Sequence, residues 1–356
     1  WNILPILNYK IFKDEQFRKI KISKKNKYIN IISTRDLLKK IFKLESIFFY
    51  INNCKYSFLT FFIESIFRYK KGKKILLLPG SHDLKNEYKK KFIEILIQNP
   101  FYLIKKVLTF VLKYIYDIFL IFIHQKPNLV FVGNNYEFDI IKKIYPKEKI
   151  YKFNSPEFEK YLSFKHKKTK NKKQIVYIDQ KFYGLDFKVN NYQTEINKKE
   201  EKKFYTKVNL FLDRIKTKYK SYEILIAVHP RQDKNFSFFK KKVYFKKTFD
   251  LIRNSKFVVC HNSLAIKYAV LLKKPIIMLQ DKEFFHGEVI SEQNFFKKNL
   301  GIQCFDLNKK INKRKKVVIK VNQSKYKNFS KKFINFNELK NYGRFNKIAS
   351  VINSIN

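Results

Sequence analysis

The sequence predicts an α/β protein made of two doubly wound parallel sheets that face a central cleft. Three observations lead to this class. Short apolar runs alternate with longer amphipathic stretches along most of the chain, as strands and helices alternate in parallel sheets. Several of the apolar runs stop at polar clusters, and such sheets bind ligands at the carboxyl ends of their strands. The alternation occurs on both sides of a charged segment without apolar residues, residues 165–174.

The composition permits two domains. The chain has 356 residues, of which 45% are hydrophobic, so a sizeable core can form. Its net charge is +49, from 78 Lys and Arg residues against 29 Asp and Glu residues. This balance favours nucleic acid, an anionic membrane surface or an acidic substrate as a partner. The most frequent residue types also share A/T-rich codons, so genome bias explains part of the lysine content, and the charge alone identifies no partner.

Cysteine usage indicates a reducing compartment. Cys54, Cys260 and Cys304 are odd in number and widely spaced, so neither a disulfide framework nor a zinc site is expected. No signal peptide is recognisable in the given sequence, which begins at Trp1 and leaves open whether residues precede it. We therefore expect a cytoplasmic protein.

In the first half, strands are predicted at three short apolar runs and helices between them. The predicted strands are Ile75–Leu78, Leu129–Val132 and Ile150–Phe153, and the predicted helices are Thr34–Lys43, Ser57–Arg68, one ending near Gln98, and Phe138–Ile144. A longer apolar segment, Val107–Ile123, carries Lys113 and Asp117 near its middle. Because a charge at a bilayer centre costs about 2.5–3.5 kcal/mol, we expect a buried or membrane-surface helix there.

The charged segment 165–174 is interpreted as a solvated linker, with a basic surface loop inside one domain as the alternative. As a linker, it separates an N-terminal α/β domain, residues 1–164, from a C-terminal α/β domain, residues 175–335. Residues 336–356 then form a closing segment, whose helix, predicted at Leu339–Ile352, packs back toward the first domain.

The second half has the most regular pattern. Its predicted strands are Ile175–Ile178, Ile224–Val228, Phe257–Cys260, Ile276–Leu279, Gly301–Leu307 and Val317–Val321, and its predicted helices are Lys199–Tyr219, Phe249–Asn254 and Leu264–Lys274. Two of these strands stop at a histidine, His229 and His261. We expect both polar clusters to meet across adjacent strand tips and to face one crevice.

His229-Pro230-Arg231 is the first candidate site. Proline cannot donate to a sheet ladder, so Pro230 ends the strand and leaves His229 at the rim. The imidazole can protonate or hydrogen-bond a departing phosphate oxygen, and the Arg231 guanidinium can add charge-assisted contacts. A strand-end histidine bonded to a backbone carbonyl is the structural alternative.

His261-Asn262-Ser263 is the second candidate site. Asn and Ser are preferred N-cap residues, and the first turn of the following helix leaves backbone N–H groups free for a phosphate. The Ser263 hydroxyl can join those N–H groups. Plain helix capping is the structural alternative.

These two clusters resemble bacterial surface-polysaccharide glycosyltransferases of the two-domain GT-B type. The likeness is greatest to capsule and lipooligosaccharide transferases that use CMP-activated acidic sugars, including sialyl- and polysialyltransferases. Those families carry a His-Pro motif and a downstream serine that grips the donor phosphate, matched here by His229-Pro230 and Ser263. Tyr177–Gln180 is similar to the segment that opens their second domain. Lys267 and Lys273 depart from the pattern, since an acidic residue and a glycine are common there.

The resemblance implies two Rossmann-like domains facing a cleft and an inverting transfer from a nucleotide-sugar donor to a glycan or glycolipid acceptor, with a CMP-activated acidic sugar favoured. It implies His229 as a catalytic residue and Pro230, Arg231, His261, Asn262 and Ser263 as donor-binding residues. The basic surface would hold the enzyme peripherally at the anionic inner membrane. No specific nucleic-acid partner is expected.

An inverting transfer also needs a base for the acceptor hydroxyl, and the candidates are Asp179 and Asp83, each at a predicted strand end. Either carboxylate has a turn or helix-cap role as its structural alternative. No Asp-x-Asp occurs in the chain, so a metal-independent mechanism without a cofactor is expected. His82 and His286 are weaker candidates. Two other functions stay open: a nucleotide-sugar epimerase of the same fold, and a non-enzymatic nucleic-acid-binding protein.

Overall fold

The structure is a computed structural model, and it describes only part of the chain. The described residues are 49–51, 65–67, 69, 72–78, 127–167, 173–180, 198–229, 232, 238–285, 287–309, 319–336, 348, 350–352 and 354. They fall into two compact units, one with a four-stranded sheet and one with a six-stranded sheet. The mixed α/β class with parallel strands is therefore confirmed.

The smaller sheet is built from β1 (Phe49–Ile51), β2 (Lys73–Leu78), β3 (Leu129–Val132) and β4 (Ile150–Lys152), in that spatial order. β1 and β2 run parallel, as do β2 and β3. All four residues of β3 are buried, which explains its unbroken apolar run. Helix α1 (Asn135–Ile144) follows β3 in the chain.

The larger sheet contains six strands with helices between them. In chain order the elements are α2 (Pro156–Leu162), β5 (Gln174–Ile178), α3 (Lys198–Lys218), β6 (Glu223–Ala227), β7 (Lys242–Tyr244), α4 (Thr248–Asn254), β8 (Val258–Cys260), α5 (Ile266–Leu271), β9 (Ile276–Gln280), α6 (Gly287–Leu300), β10 (Gln303–Asp306) and α7 (Gln323–Phe333). The spatial order is β10-β9-β8-β5-β6-β7, and every neighbouring pair is parallel.

This strand order reverses once. The chain proceeds from β5 outward through β6 to β7, then returns to the other side of β5 for β8, β9 and β10. Doubly wound sheets bind their ligands at the carboxyl ends of the two strands that flank such a reversal. In this sheet those strands are β5 and β8.

Apolar side chains cover both faces of the larger sheet, because successive residues of a strand point to opposite faces. One face packs against α3 through residues such as Tyr177, Phe204 and Val208. The other face packs against α4, α5 and α7 through residues such as Ile178 and Phe329. The sheet is thus buried on both faces, and its carboxyl edge is where polar residues collect.

The predicted strands at Ile75–Leu78, Leu129–Val132 and Ile150–Phe153 are present with small shifts in their ends, as are five of the six in the second half. The predicted strand Val317–Val321 is wrong for residues 319–321, which are described and form no strand. Sequence analysis did not predict β1, α2, β7, α6 or α7.

Several predicted helices lie outside the described residues, namely Thr34–Lys43, Val107–Ile123 and the one ending near Gln98. Of the predicted helix Ser57–Arg68, residues 65–67 are described and helical, and of the closing helix, residues 348 and 350–352 are described and helical. None of the helices in the described part of the chain is long and apolar enough to cross a bilayer.

Candidate functional site

Three of the predicted site segments lie at the carboxyl edge of the larger sheet. Asp179 directly follows β5, His229 comes two residues after β6, and His261 directly follows β8. The register aligns the last residues of these strands, since Ile178 pairs with both Ala227 and Cys260. The fold therefore brings these segments to one edge, as the sequence predicted.

The strands that carry His229 and Ser263 are not neighbours. β5 lies between β6 and β8, so the expectation that the two loops meet at adjacent strand tips is wrong. Two inter-strand spacings separate the axes of β6 and β8 by roughly 10 Å. A ligand that reaches both loops must therefore extend across the end of β5, where Asp179 lies.

The backbone around His229 is held by hydrogen bonds on both sides. Val228 N–H donates to the Tyr244 carbonyl at 3.1 Å, which continues the ladder between β6 and β7. The His229 carbonyl accepts from Gln232 N–H at 2.9 Å, which forms a turn. The His229 side chain is half-buried. Pro230 and Arg231 lie outside the described residues.

His261 is part of the core and not of the exposed rim. Its side chain is fully buried, and Nδ1 lies 2.7 Å from the Tyr177 hydroxyl. Its ring stacks on Phe285 at 5.5 Å and meets the edge of Phe204 at 5.5 Å. Burial lowers the pKa of His261 to about 3, so the imidazole is neutral at physiological pH. The sequence holds a signal for this burial, because Phe257, Val259 and His261 alternate onto the α3 face.

Asn262 and Ser263 lie in the turn between β8 and α5, and both are almost fully buried. Ser263 Oγ accepts from Ala265 N–H at 3.2 Å, and the Ser263 carbonyl accepts from Ile266 N–H at 3.1 Å. Helix α5 begins at Ile266, two residues later than predicted, and its N-cap is Ala265, without a side-chain cap. The Ser263 hydroxyl thus accepts a local bond, while its hydrogen can still donate to a ligand.

Asp179 is an almost fully buried carboxylate of the edge, at 2% exposure. Its backbone N–H donates to the Ala227 carbonyl at 2.9 Å, so its position is fixed by the ladder between β5 and β6. Burial raises the pKa of Asp179 well above its usual value; hydrogen bonds from Tyr205 and from the Gln180 N–H oppose this rise, and nearby Glu201 adds to it. A carboxylate of this kind binds a proton tightly, which suits a general base.

Sequence analysis missed the side chains that surround Asp179, namely Tyr177, Glu201 and Tyr205. All three are buried, and Tyr205 donates to Asp179 from α3. Glu201, Tyr205, Val208 and Leu212 follow the helical spacing of one α3 face. Polar residues on the core-facing side of a helix were the signal that would have found Glu201 and Tyr205.

Helix α5 ends with Lys273 in the left-handed region, at φ 51°. Lys273 N–H donates to the Val270 carbonyl at 3.1 Å and Lys274 N–H to the Ala269 carbonyl at 2.8 Å, which is the pattern of a Schellman motif. A glycine normally takes this position, because it adopts φ > 0 without a steric penalty. Lys273, which stands where a glycine is common, is therefore a strained position.

Within the described ranges, no group of three or more His, Cys, Asp or Glu residues is arranged to hold a metal ion. Asp83, His82 and His286 lie outside those ranges, so their predicted roles stay predictions. Among the predicted site residues, the structure brings Asp179, His229, Asn262 and Ser263 to one edge of the sheet.

Comparisons with known proteins gave distant structural matches only. No protein-family model and no curated protein matches the chain. A variant of the wall teichoic acid polymerase TagF matches with a TM-score of 0.36 and 14% identity, over 64% of this chain and 57% of that one. MnaA from S. aureus, in a co-structure with UDP, matches with a TM-score of 0.36 and 12% identity, over 68% of this chain and 61% of that one. Similarity this distant supports no conclusion about fold or activity, and the chain covers less than two thirds of either protein.

Proposed function

We propose that the protein is a glycosyltransferase that moves a sugar from a nucleotide-activated donor to a cell-surface glycan or glycolipid acceptor. One observation carries the proposal. The larger sheet reverses its strand order between β5 and β8, and polar residues follow both strands at that point. Doubly wound sheets bind nucleotides at such a point. The likeness of His229-Pro230 and Ser263 to GT-B transferases specifies the reaction class.

In the proposed complex, the phosphate of the donor and the sugars attached to it lie across the end of β5. Ser263 and Asn262 contact them from the β8 side, and Ser263 donates its hydroxyl hydrogen. His229 contacts them from the β6 side and protonates or hydrogen-bonds the leaving phosphate oxygen, with Pro230 and Arg231 next to it. These contacts stabilise the charge that develops on the leaving group without a metal ion. The roughly 10 Å between β6 and β8 is wider than one phosphate group, so the phosphate of the donor and the sugars attached to it together span the two loops.

The transfer is proposed to be inverting, with a carboxylate as the base. Asp179 is favoured by its place at the end of β5, between the two phosphate-binding loops. Asp83 is the alternative base. Because burial raises the pKa of Asp179, the base is active only above that raised value, and activity should fall as the solution becomes more acidic.

The donor and the cellular location are proposed from the resemblance and the charge. The likeness favours a CMP-activated acidic sugar. A net charge of +49 attracts both an acidic donor and the anionic inner membrane, where lipid-linked acceptors are found. We propose a cytoplasmic enzyme that binds peripherally to that membrane.

A nucleotide screen tests the function. CMP, UDP, CDP and GDP and their sugar conjugates are added to the purified chain, and both thermal stabilisation and nucleotide release with a glycan acceptor are measured. We expect one nucleotide class to stabilise the protein and its sugar conjugate to be consumed. His229→Ala should abolish turnover, whereas His166→Ala, at an exposed histidine of the same unit, should not. Stabilisation by none of these nucleotides would remove the transferase proposal.

The same screen separates the open alternatives. An epimerase would convert the nucleotide sugar to an isomer without releasing the nucleotide. A nucleic-acid-binding protein would bind one sequence in preference to others at physiological salt, since non-specific attraction is expected from the charge alone.

A further inference from the structure

Helix α3 presents two buried polar side chains toward the end of β5. Glu201 and Tyr205 are four residues apart, so they lie on the same face of the helix. Tyr205 is 1% exposed and Glu201 is 5% exposed. Polar groups are seldom buried in the core-facing side of a helix unless they have a partner there. Tyr205 contacts Asp179 directly, and Glu201 lies near enough for its charge to raise the pKa of Asp179.

The Tyr205 hydroxyl holds the Asp179 carboxyl by a nearly symmetric contact. It lies 3.1 Å from one carboxyl oxygen and 3.2 Å from the other. The Tyr205 ring is itself fixed, because it stacks on Phe238 at 4.9 Å and meets Phe239 edge-on at 5.1 Å. The hydroxyl therefore restrains the plane of the carboxyl group and not only its distance from the helix.

Titratable groups from three elements surround the Asp179 carboxyl. Tyr205 and Glu201 approach from α3, Tyr177 lies on β5, and His261, which is bonded to Tyr177, follows β8. His229 follows the neighbouring strand β6. His261 is neutral at physiological pH because burial lowers its pKa to about 3. The two α3 side chains act in opposite directions on the pKa of Asp179: the Tyr205 hydrogen bond lowers it and the Glu201 charge raises it.

We propose that Tyr205 is a positioning residue that holds the Asp179 carboxyl in the orientation in which it accepts a proton from the acceptor. The inference rests on the proposed function with Asp179 as its base. In the step, the acceptor oxygen bonds to the anomeric carbon while the bond from that carbon to the donor phosphate oxygen breaks. The electron pair of the broken bond stays on the phosphate, and the acceptor hydroxyl proton moves to Asp179.

Two variants test the inference because they should shift the pKa of Asp179 in opposite directions. Tyr205→Phe keeps the ring contacts and removes the hydrogen bond, so the acidic limb of the pH profile of kcat should move to higher pH. Glu201→Gln removes a neighbouring charge, so the limb should move to lower pH. The Tyr205→Phe shift should be about half a pH unit or more, since one hydrogen bond changes a proton affinity by a few-fold to tenfold.

Matched controls are available on the same helix and directly after it. Glu200→Gln changes the exposed neighbour of Glu201, and Tyr219→Phe changes a tyrosine near the end of α3. Neither should move the acidic limb. Urea unfolding of all four variants shows whether each one is folded. A lower kcat in Tyr205→Phe with an unmoved limb would mean a merely structural role and would overturn the inference.

A second readout does not depend on activity. Infrared spectra of the whole protein with ¹³C-labelled aspartate, with Asp179→Asn as the reference, follow the protonation of the Asp179 carboxyl directly. Opposite shifts of this titration in Tyr205→Phe and Glu201→Gln support the arrangement around Asp179, and unchanged titrations overturn it. If the titrations shift but the unmodified protein transfers no sugar, the proposed function fails and the inference about catalysis fails with it.

Discussion

His261 should make the folded protein sensitive to acid. Its imidazole is fully buried against Phe204 and Phe285, and burial lowers its pKa from 6.5 to about 3. An unfolded chain binds a proton near pH 6.5, whereas the folded chain does not until the pH is about 3. The stability linked to His261 is therefore fully present above pH 6.5 and is lost as the pH falls toward 3.

The size of the effect follows from the difference in pKa. Well below pH 6.5, each pH unit costs about 1.4 kcal/mol for one such group. Because half of the imidazole in the unfolded chain is already protonated at pH 6.5, acidification from pH 6.5 to pH 4.5 should cost roughly 2 kcal/mol through His261 alone. Domains have a total stability of about 5–15 kcal/mol, so this loss is large. Asp179 changes the stability in the opposite direction. Its raised pKa stabilises the fold at low pH, and this contribution is lost as the pH rises. A comparison between variants that all keep Asp179 isolates the histidine.

The assay is urea unfolding at pH 6.5 and pH 4.5 on the unmodified protein and on the double variant Tyr177→Phe/His261→Phe. The double variant removes both partners of the 2.7 Å hydrogen bond, so no buried polar atom of that pair is left without a partner. We expect the unmodified protein to lose roughly 2 kcal/mol more than the double variant on acidification. His166→Ala, at an exposed site, should behave as the unmodified protein does. Equal losses in the unmodified protein and the double variant would refute a buried neutral imidazole.

Two further substitutions test other contacts by urea unfolding. Lys273→Gly should raise the free energy of unfolding by about 1 kcal/mol, because glycine removes the steric cost of φ > 0 at the end of α5; no gain over Lys273→Ala would contradict the strain. Lys207→Gln should lower the free energy of unfolding by about 2 kcal/mol, because Lys207 Nζ lies 2.9 Å from the buried Asp281 carboxylate. The control Lys203→Gln breaks an exposed 3.8 Å ion pair and should change the free energy of unfolding little. An equal loss of stability in both variants would argue against a role for burial.

The central strands were predictable because they are buried on both faces. All five residues of β5 and all five of β9 are buried, and in each strand four consecutive residues are apolar. The polar residues after β5, β6 and β8 then indicated the carboxyl edge. Parallel pairing brought them together, as expected.

The spatial order of the strands was not predictable in the same way. The segments around His229 and Ser263 do not indicate that β5 lies between β6 and β8. The order of the strands depends on contacts between residues that are distant in sequence. The burial of His261 was hidden for a related reason: the same His-Asn-Ser string is compatible with a ligand-binding loop and with a strand end that points into a core. Only its alternation with Phe257 and Val259 separates the two.

The missed elements differ in how much signal they carry. β7 has three residues and includes Lys242, so it lacks an apolar run. Helix α7 could have been predicted, because Tyr326, Phe329 and Phe333 have helical spacing and all three are buried. Helix α2 could also have been predicted, since Ser155 caps it by accepting from Phe158 N–H at 3.3 Å and Pro156 stands at its first position.

Hydrogen exchange with and without a bound nucleotide tests most directly where the donor binds. The nucleotide that stabilises the protein most is added at saturation, and amide protection is mapped along the chain. We predict that protection increases in the turn 261–265 and at residues 227–229, on both sides of the end of β5. Protection confined to other parts of the chain, with these two segments unchanged, would contradict a donor site at the reversal of the larger sheet.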